Sequence, residues 1–106
     1  MSELEYLYTL KVTRLEMLTV GPTQEEEQVV AAHYSHLKTL LDQGWIILVG
    51  RTQTQDEKTF GIVIFKANSD AEARTMLESD PAVAHGVMQA ELFPYRVALM
   101  EGRAAA

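Results

Sequence analysis

The chain has 106 residues, 47% of them hydrophobic, which suffices for one compact domain with a buried core but not for a second domain. Its 15 acidic and 9 basic residues give a formal net charge of −6, which disfavours a general phosphate-binding surface, so we expect no nucleic-acid partner. Cysteine is absent, which excludes disulfides and thiolate catalysis, and the first residues form no long apolar run. We therefore expect one cytoplasmic domain over 1–106, with its core at about 4–100, no membrane association and frayed ends at 1–2 and 102–106.

The first predicted element is a strand over residues 4–18, because aromatic and aliphatic side chains alternate there with polar ones. The apolar face of this strand consists of Tyr6, Tyr8, Leu10 and Val12. Thr23 and Glu26 then form a T-x-x-E capping box, in which each side chain satisfies a free backbone amide at the start of a helix. The sequence therefore predicts a helix over about 24–43, ended by Gly44.

Two apolar segments follow, WIILVG at 45–50 and FGIVIFKA at 60–67, and they predict two strands joined by a polar turn. In both segments apolar side chains occupy consecutive positions, and consecutive residues of a strand point to opposite faces of the sheet. Both faces of the sheet would therefore be apolar. Helices can cover only one face, and a soluble monomer seldom exposes a large apolar patch. We therefore expect a homodimer whose subunits pack sheet against sheet, the alternative being one twisted sheet with scattered apolar residues on its surface.

The second half of the chain repeats the pattern of a helix followed by a strand. Ser69 and Glu72 form another capping pattern, which predicts a helix over about 70–79. The last strand is predicted over about 87–99, and Pro94 places it at a sheet edge or a bulge because proline has no amide hydrogen. The order βαββαβ is that of the ferredoxin-like α+β fold, a four-stranded antiparallel sheet with both helices on one face.

Two histidines lie three positions apart on the first predicted helix. His33 falls within an apolar sector and His36 at its edge. The simpler interpretation of His33 is a core histidine with a backbone partner, and the alternative is a general acid or base. The zinc pattern H-E-x-x-H is absent, since Tyr34 follows His33, so we expect no metal site. The position of His85 relative to these histidines does not follow from the sequence.

Asp80, which precedes Pro81, has a structural explanation. Aspartate is a favoured N-cap and proline is favoured at the first helical position, while Gly86 can close the short turn. A capping carboxylate is fixed in direction, however, and could orient an imidazole if the fold brings the two together.

The order and spacing of these features resemble the YCII-related family, within the dimeric α/β-barrel group. The shared pattern is H-x-x-[HY]-L-x-x-L-x-x-x-G before an apolar strand, followed by the helix AEARTMLESDP, a glycine, and a last strand with proline and an aromatic residue. It extends over residues 5–99 and contains His33, His36, Leu37, Leu40, Gly44, Asp80, Pro81, Gly86, Pro94 and Tyr95. The resemblance implies a ferredoxin-like subunit, a face-to-face homodimer and an active site built from His33 and Asp80. It also implies small-molecule chemistry without a metal or organic cofactor.

Two functions are consistent with this sequence. One is an enzyme on a small organic molecule, of isomerase, lyase or monooxygenase type, with His33 as acid or base and Asp80 selecting its tautomer. The other is a noncatalytic dimeric module that binds a metabolite or another protein.

Relatives often have proline where this chain has Arg51, which could attract an anionic ligand. The strand aromatic residues are core by default, and the side chains expected to contact a ligand are His36, Arg51, Tyr8 and Trp45.

Overall fold

The computed structural model describes residues 3–103 and confirms the predicted ferredoxin-like α+β fold. The strands are β1 (Leu4–Val12), β2 (Ile46–Arg51), β3 (Gly61–Ala67) and β4 (Met88–Tyr95). The helices are α1 (Glu16–Thr19), α2 (Gln24–Asp42), α3 (Asp70–Ser79) and α4 (Pro81–Ala84). The strands form one antiparallel sheet in the order β2-β3-β1-β4, which places β4 and Pro94 at an edge as predicted.

Both long helices begin at their predicted caps. The Thr23 side chain accepts the amide of Glu26 at 3.1 Å, and the Glu26 carboxylate accepts the amide of Thr23 at 2.8 Å, so the capping box is complete. At α3 the Ser69 hydroxyl accepts the amide of Glu72 at 3.1 Å. A complete capping box would also have the Glu72 carboxylate accept the backbone amide of Ser69. In the structure this carboxylate accepts the amide of Asn68 instead, so this half of the prediction is wrong.

The first and last strands are shorter than predicted. Residues 13–18 leave the sheet, because Arg14 pairs with Glu26 of α2 at 2.6 Å and the chain then turns into α1. The last strand, β4, ends at Tyr95. Tyr95 pairs with Glu5, the second residue of β1, so β1 offers almost no further partner to β4. The prediction of a strand up to residue 99 is therefore wrong, since no paired strand remains beyond this point.

The pairing of β2 corrects the predicted arrangement of its side chains. Alternation in the sequence places Ile46 and Leu48 on one face, but the structure pairs Ile46 with Phe65 and Leu48 with its neighbour Ile64. Consecutive residues of a strand point to opposite faces, so Ile46 and Leu48 do as well. A β-bulge between them inserts one extra residue and shifts the alternation.

The two faces of the sheet differ in their cover. The helix-covered face contributes the buried core side chains Tyr6, Tyr8, Leu10, Ile46, Val63, Phe65 and Ala67, which pack with Leu37, Ala73 and Leu77 of the helices. The opposite face, called the open face below, carries one apolar row across all four strands. This row consists of Leu48, Ile64, Leu7 and Phe93, which follow one another in the strand pairing. On the open face 41% of Leu48 and 43% of Phe93 are exposed, whereas Ile64 between them is only 5% exposed.

The C-terminal segment returns to the start of β1. The Glu5 carboxylate accepts the amide of Val97 at 2.9 Å and also pairs with the Arg103 guanidinium. The expected fraying from residue 102 onward is therefore wrong at Arg103, while residues 1–2 and 104–106 lie outside the described residues. No helix of the described chain is long and apolar enough to cross a membrane.

Candidate functional site

Asp80 lies at the junction of α3 and α4 and is fully buried, with 0% of its surface exposed. Its Oδ1 accepts the backbone amide of Ala82 at 3.0 Å, with Pro81 at the first helical position. This geometry is the predicted N-cap. Capping fixes the direction of the carboxylate and leaves both oxygens able to accept further hydrogen bonds.

His33 reaches this carboxylate from α2. Its Nδ1 lies 2.6 Å from Oδ1 of Asp80, across the contact between α2 and α4, although 47 positions separate the residues in sequence. The His33 side chain is 12% exposed, so the imidazole is largely buried and still reaches the surface. The structure thus brings together the two residues that the family resemblance paired.

Tyr8 completes the site from the central strand β1. Its hydroxyl donates to Oδ2 of Asp80 at 2.6 Å, and the tyrosine is 3% exposed. Its ring packs edge-on against Phe65, with centroids 5.5 Å apart. Sequence reasoning named Tyr8 as a ligand contact and missed its bond to Asp80. A signal was available, because a buried tyrosine hydroxyl usually has a hydrogen-bond partner.

The protonation states of Asp80 and Tyr8 follow from these contacts. Burial raises the pKa of Asp80, but the hydrogen bonds from His33, Tyr8 and the Ala82 amide outweigh burial and hold that pKa below its ordinary value. Burial, followed by the charge of Asp80 and the hydrogen bond to it, raises the pKa of the Tyr8 hydroxyl. At neutral pH, Asp80 is therefore an anion and Tyr8 a neutral donor.

This charge assignment determines the proton position on His33. An ionised carboxylate only accepts hydrogen bonds, so Nδ1 of His33 must carry the hydrogen in its 2.6 Å contact with Asp80. In the neutral imidazole the lone pair then lies on Nε2. Such a ring can accept a proton at Nε2, and the adjacent carboxylate stabilises the cation that forms. The arrangement is chemically suited to general acid–base catalysis.

The other predicted ligand contacts lie outside this hydrogen-bonded group. His36 is partly buried, and its Nε2 is buried without a hydrogen-bond partner among the described residues. Trp45 is partly buried immediately before β2. Arg51 is exposed at the end of β2, where its guanidinium donates to two backbone carbonyls of the following loop. Their contact with a ligand stays a prediction.

Within residues 3–103, no three His, Asp or Glu side chains are grouped closely enough to hold a metal ion. His85 is exposed and caps the C-terminal end of α4. The sequence-based expectations of no metal and no cofactor stay predictions.

The fold and this site define a ferredoxin-like α+β protein in which a buried aspartate holds a histidine through one ring nitrogen. The model of the YCII-related domain matches residues 6–96, so the chain belongs to the YCII-related family. Its structure is similar to 5-chloro-2-hydroxyhydroquinone dehydrochlorinase (TftG) from Burkholderia phenoliruptrix, solved in complex with 2,5-dihydroxybenzoquinone. The two share 22% sequence identity at a TM-score of 0.60, over 86% of this chain and 93% of that one. No curated protein matches the chain significantly.

Proposed function

We propose that this protein is a cofactor-independent enzyme that moves protons on a small organic molecule, with His33 as the general acid and base. The observation that supports this most is the 2.6 Å contact between His33 Nδ1 and the buried, ionised Asp80. A side chain needed only for packing does not require a buried anion beside it, because a buried charge costs free energy unless it is paired. Because Nδ1 is taken up by Asp80, Nε2 of His33 is the nitrogen that would exchange a proton with the substrate.

Each of the three residues has a distinct part in this proposal. His33 is the catalytic residue, since its Nε2 would contact the reacting atoms. Asp80 keeps the hydrogen on Nδ1 and stabilises the imidazolium during turnover. Tyr8 stays protonated and binds the second oxygen of Asp80, so it acts as a positioning residue.

The substrate class we propose is a small ring with acidic hydroxyl or carbonyl groups. TftG is similar in fold, and it was solved with such a molecule, 2,5-dihydroxybenzoquinone. A phenol or enol hydroxyl can donate its proton to Nε2 of His33, and the enolate that forms can accept a proton at ring carbon. Both steps use only the imidazole and the substrate, so neither requires a redox partner.

We further propose that the protein is a homodimer in which two copies pair through the open face. The apolar row of Leu48, Ile64, Leu7 and Phe93 crosses that face, its ends Leu48 and Phe93 are exposed, and a partly exposed apolar strip favours a protein interface. A symmetric pair would bury the strip of each subunit against the other. The cytoplasmic location also stays a prediction.

Hydrogen exchange at the ring carbons of 2,5-dihydroxybenzoquinone tests the enzymatic proposal without knowledge of the natural substrate. In deuterated buffer, His33 would deliver a deuteron to a ring carbon and then remove the original proton from it, which proton NMR detects as signal loss. We expect the protein to accelerate this exchange, and His33→Asn to lower the acceleration by roughly 10²-fold to 10⁴-fold. His85→Asn is the matched control, because His85 is an exposed histidine outside the site. This variant should accelerate the exchange of 2,5-dihydroxybenzoquinone as much as the unmodified protein does.

Binding of the same molecule, followed by its visible absorbance, separates the two functional classes. Binding without accelerated exchange, unaffected by His33→Asn, would identify a noncatalytic binding module. Equal exchange rates for the unmodified protein and His33→Asn would also overturn the proposed role of His33.

A further inference from the structure

A groove of about 610 Å³ lies between α1, the N-terminal half of α2 and the loop after β2. Its apolar wall includes Met17, Leu18 and Val30, and its polar groups include Glu27, Tyr34 and Arg51. Neither His33 nor Asp80 lines it. Tyr34 follows His33 directly on α2, so their side chains are turned about 100° apart around the helix. The groove therefore adjoins the site described above along α2, where Val30 is one turn before His33, but its lining does not include the hydrogen-bonded residues of that site.

The apolar wall at α1 is accessible and held in place. None of the residues of α1 is buried, although Met17 and Leu18 are apolar. The segment before α1 is fixed to α2, because Arg14 bonds both carboxylate oxygens of Glu26 at 2.9 and 2.6 Å. Met17 and Leu18 are partly exposed, and apolar side chains that stay partly exposed on a fixed segment provide a surface for an apolar ligand.

The lining of the groove includes one cationic side chain, that of Arg51. The Arg51 guanidinium donates from Nε to the carbonyl of Thr52 at 3.2 Å and from Nη2 to that of Thr54 at 3.3 Å. It forms no ion pair with any carboxylate of residues 3–103. A guanidinium has five N–H donors, so donors remain for an anion after these two bonds. Since the backbone contacts orient the group before binding, less side-chain entropy is lost when a ligand arrives.

We infer that this groove binds a small organic monoanion, whose carboxylate pairs with Arg51 and whose apolar body contacts Met17, Leu18 and Val30. Charge complementarity at Arg51 defines the anionic group. Glu27 also lines the groove and would repel a second negative charge, which favours a monoanion over a dianion. This inference does not depend on the proposed acid–base activity.

The test titrates the full chain with benzoate and follows its backbone amide signals by NMR. The protein concentration is the same as in the exchange assay with 2,5-dihydroxybenzoquinone. We expect benzoate to shift signals of residues around the groove, with an affinity in the millimolar range because the ligand is small. Benzamide, a neutral molecule of the same shape, and phthalate, a dianion, should bind more weakly. Arg51→Gln should weaken benzoate binding roughly tenfold or more.

Three variants make the outcome specific. Arg74→Gln removes an exposed arginine of α3 that does not line the groove, and it should leave benzoate affinity unchanged. Leu18→Glu places a negative charge in the apolar wall and should abolish binding even if Arg51→Gln disturbs the loop. His33→Asn should retain benzoate binding, so that failure of this inference and failure of the acid–base proposal are distinguishable.

The inference is overturned if benzamide binds as well as benzoate, if Arg51→Gln has no effect, or if the shifts surround His33 and Asp80 instead of the groove. It is also overturned if no shifts occur, or if groove signals depend on protein concentration without ligand, because a second copy would then cover the groove.

Discussion

Tyr8 and Asp80 are 72 positions apart in sequence, yet the tyrosine hydroxyl donates to the buried carboxylate at 2.6 Å. The bond joins the centre of the sheet to the junction of α3 and α4. Together with the contact between Asp80 and His33, it links strand, loop and helix through one anion. Changes at any of the three residues should therefore affect the other two.

In the unmodified protein the hydrogen bond from Tyr8 stabilises the ionised Asp80 carboxylate and lowers its pKa. Tyr8→Phe removes this bond and should therefore raise the pKa of Asp80 towards its ordinary value. A carboxylate with a lowered folded-state pKa contributes stability above its unfolded-state pKa, and that contribution is lost as pH falls through the folded value. Tyr8→Phe should reduce this contribution. The measurement is a carbon NMR titration of the Asp80 carboxyl group.

Tyr6→Phe is the matched control for that titration. The Tyr6 hydroxyl donates at 2.6 Å to a different carboxylate, Asp70, so its removal should leave the titration of Asp80 unchanged. An unchanged Asp80 titration in Tyr8→Phe would contradict the hydrogen bond between Tyr8 and Asp80.

Asp80→Ala should lower the free energy of unfolding by about 3–5 kcal/mol, because it removes the N-cap of α4 and the acceptor of two largely buried donors, each worth roughly 1–3 kcal/mol. It leaves the Tyr8 hydroxyl and the His33 imidazole without their acceptor. Asp80→Asn keeps a good N-cap and one acceptor oxygen, so its cost should be smaller, roughly 1–3 kcal/mol for the contact that is lost. Urea unfolding measures both values.

Ser69→Ala estimates the part of that cost that belongs to capping alone, since Ser69 caps α3 through one hydrogen bond. Its loss should cost about 1 kcal/mol. If Asp80→Ala costs no more than Ser69→Ala, the buried contacts of Asp80 do not contribute to stability as we expect.

Glu26→Gln should destabilise the protein at neutral pH and progressively less in acid. The hydrogen bond from Arg14, followed by the amide of Thr23, lowers the pKa of Glu26 to about 2 from an ordinary 4.5. Its ionised form therefore stabilises the fold above pH 4.5, and this contribution declines as pH falls from 4.5 towards 2. Urea unfolding between pH 7 and pH 3 should show the two proteins converging.

Glu25→Gln provides the comparison, because Glu25 is exposed in the same first turn of α2. A difference between Glu26→Gln and the unmodified protein that stays constant from pH 7 to pH 3 would contradict the lowered pKa.

Leu48→Glu should dissociate or unfold the proposed homodimer by placing a charge in the apolar row of the open face. Sedimentation equilibrium at micromolar concentration should give about twice the chain mass of 11.9 kDa for the unmodified protein and a lower mass for the variant. Leu41→Glu is the control, because Leu41 on α2 is 50% exposed, close to the 41% of Leu48. An unmodified protein that sediments as a monomer would remove the dimer proposal.

The local parts of this structure could be predicted from the sequence. The cap residues Thr23 and Ser69 predicted where α2 and α3 begin, and Asp80 with Pro81 predicted the cap of α4. These features depend on contacts within three or four residues, so the residue order contains them directly. Alternation similarly predicted which side of β1 faces the core.

Contacts between distant elements were decided by tertiary structure. The bulge that separates Ile46 from Leu48 arises in the pairing of β2 with β3, and the turn of residues 13–18 into α1 accompanies the ion pair of Arg14 with α2. The pairing of His33 with Asp80 entered through the family resemblance, because no local pattern relates residues 47 positions apart. The bond from Tyr8 to Asp80 was not predicted at all. It depends on how α4 packs over the sheet, and such packing reflects the combined burial of many side chains rather than any short segment.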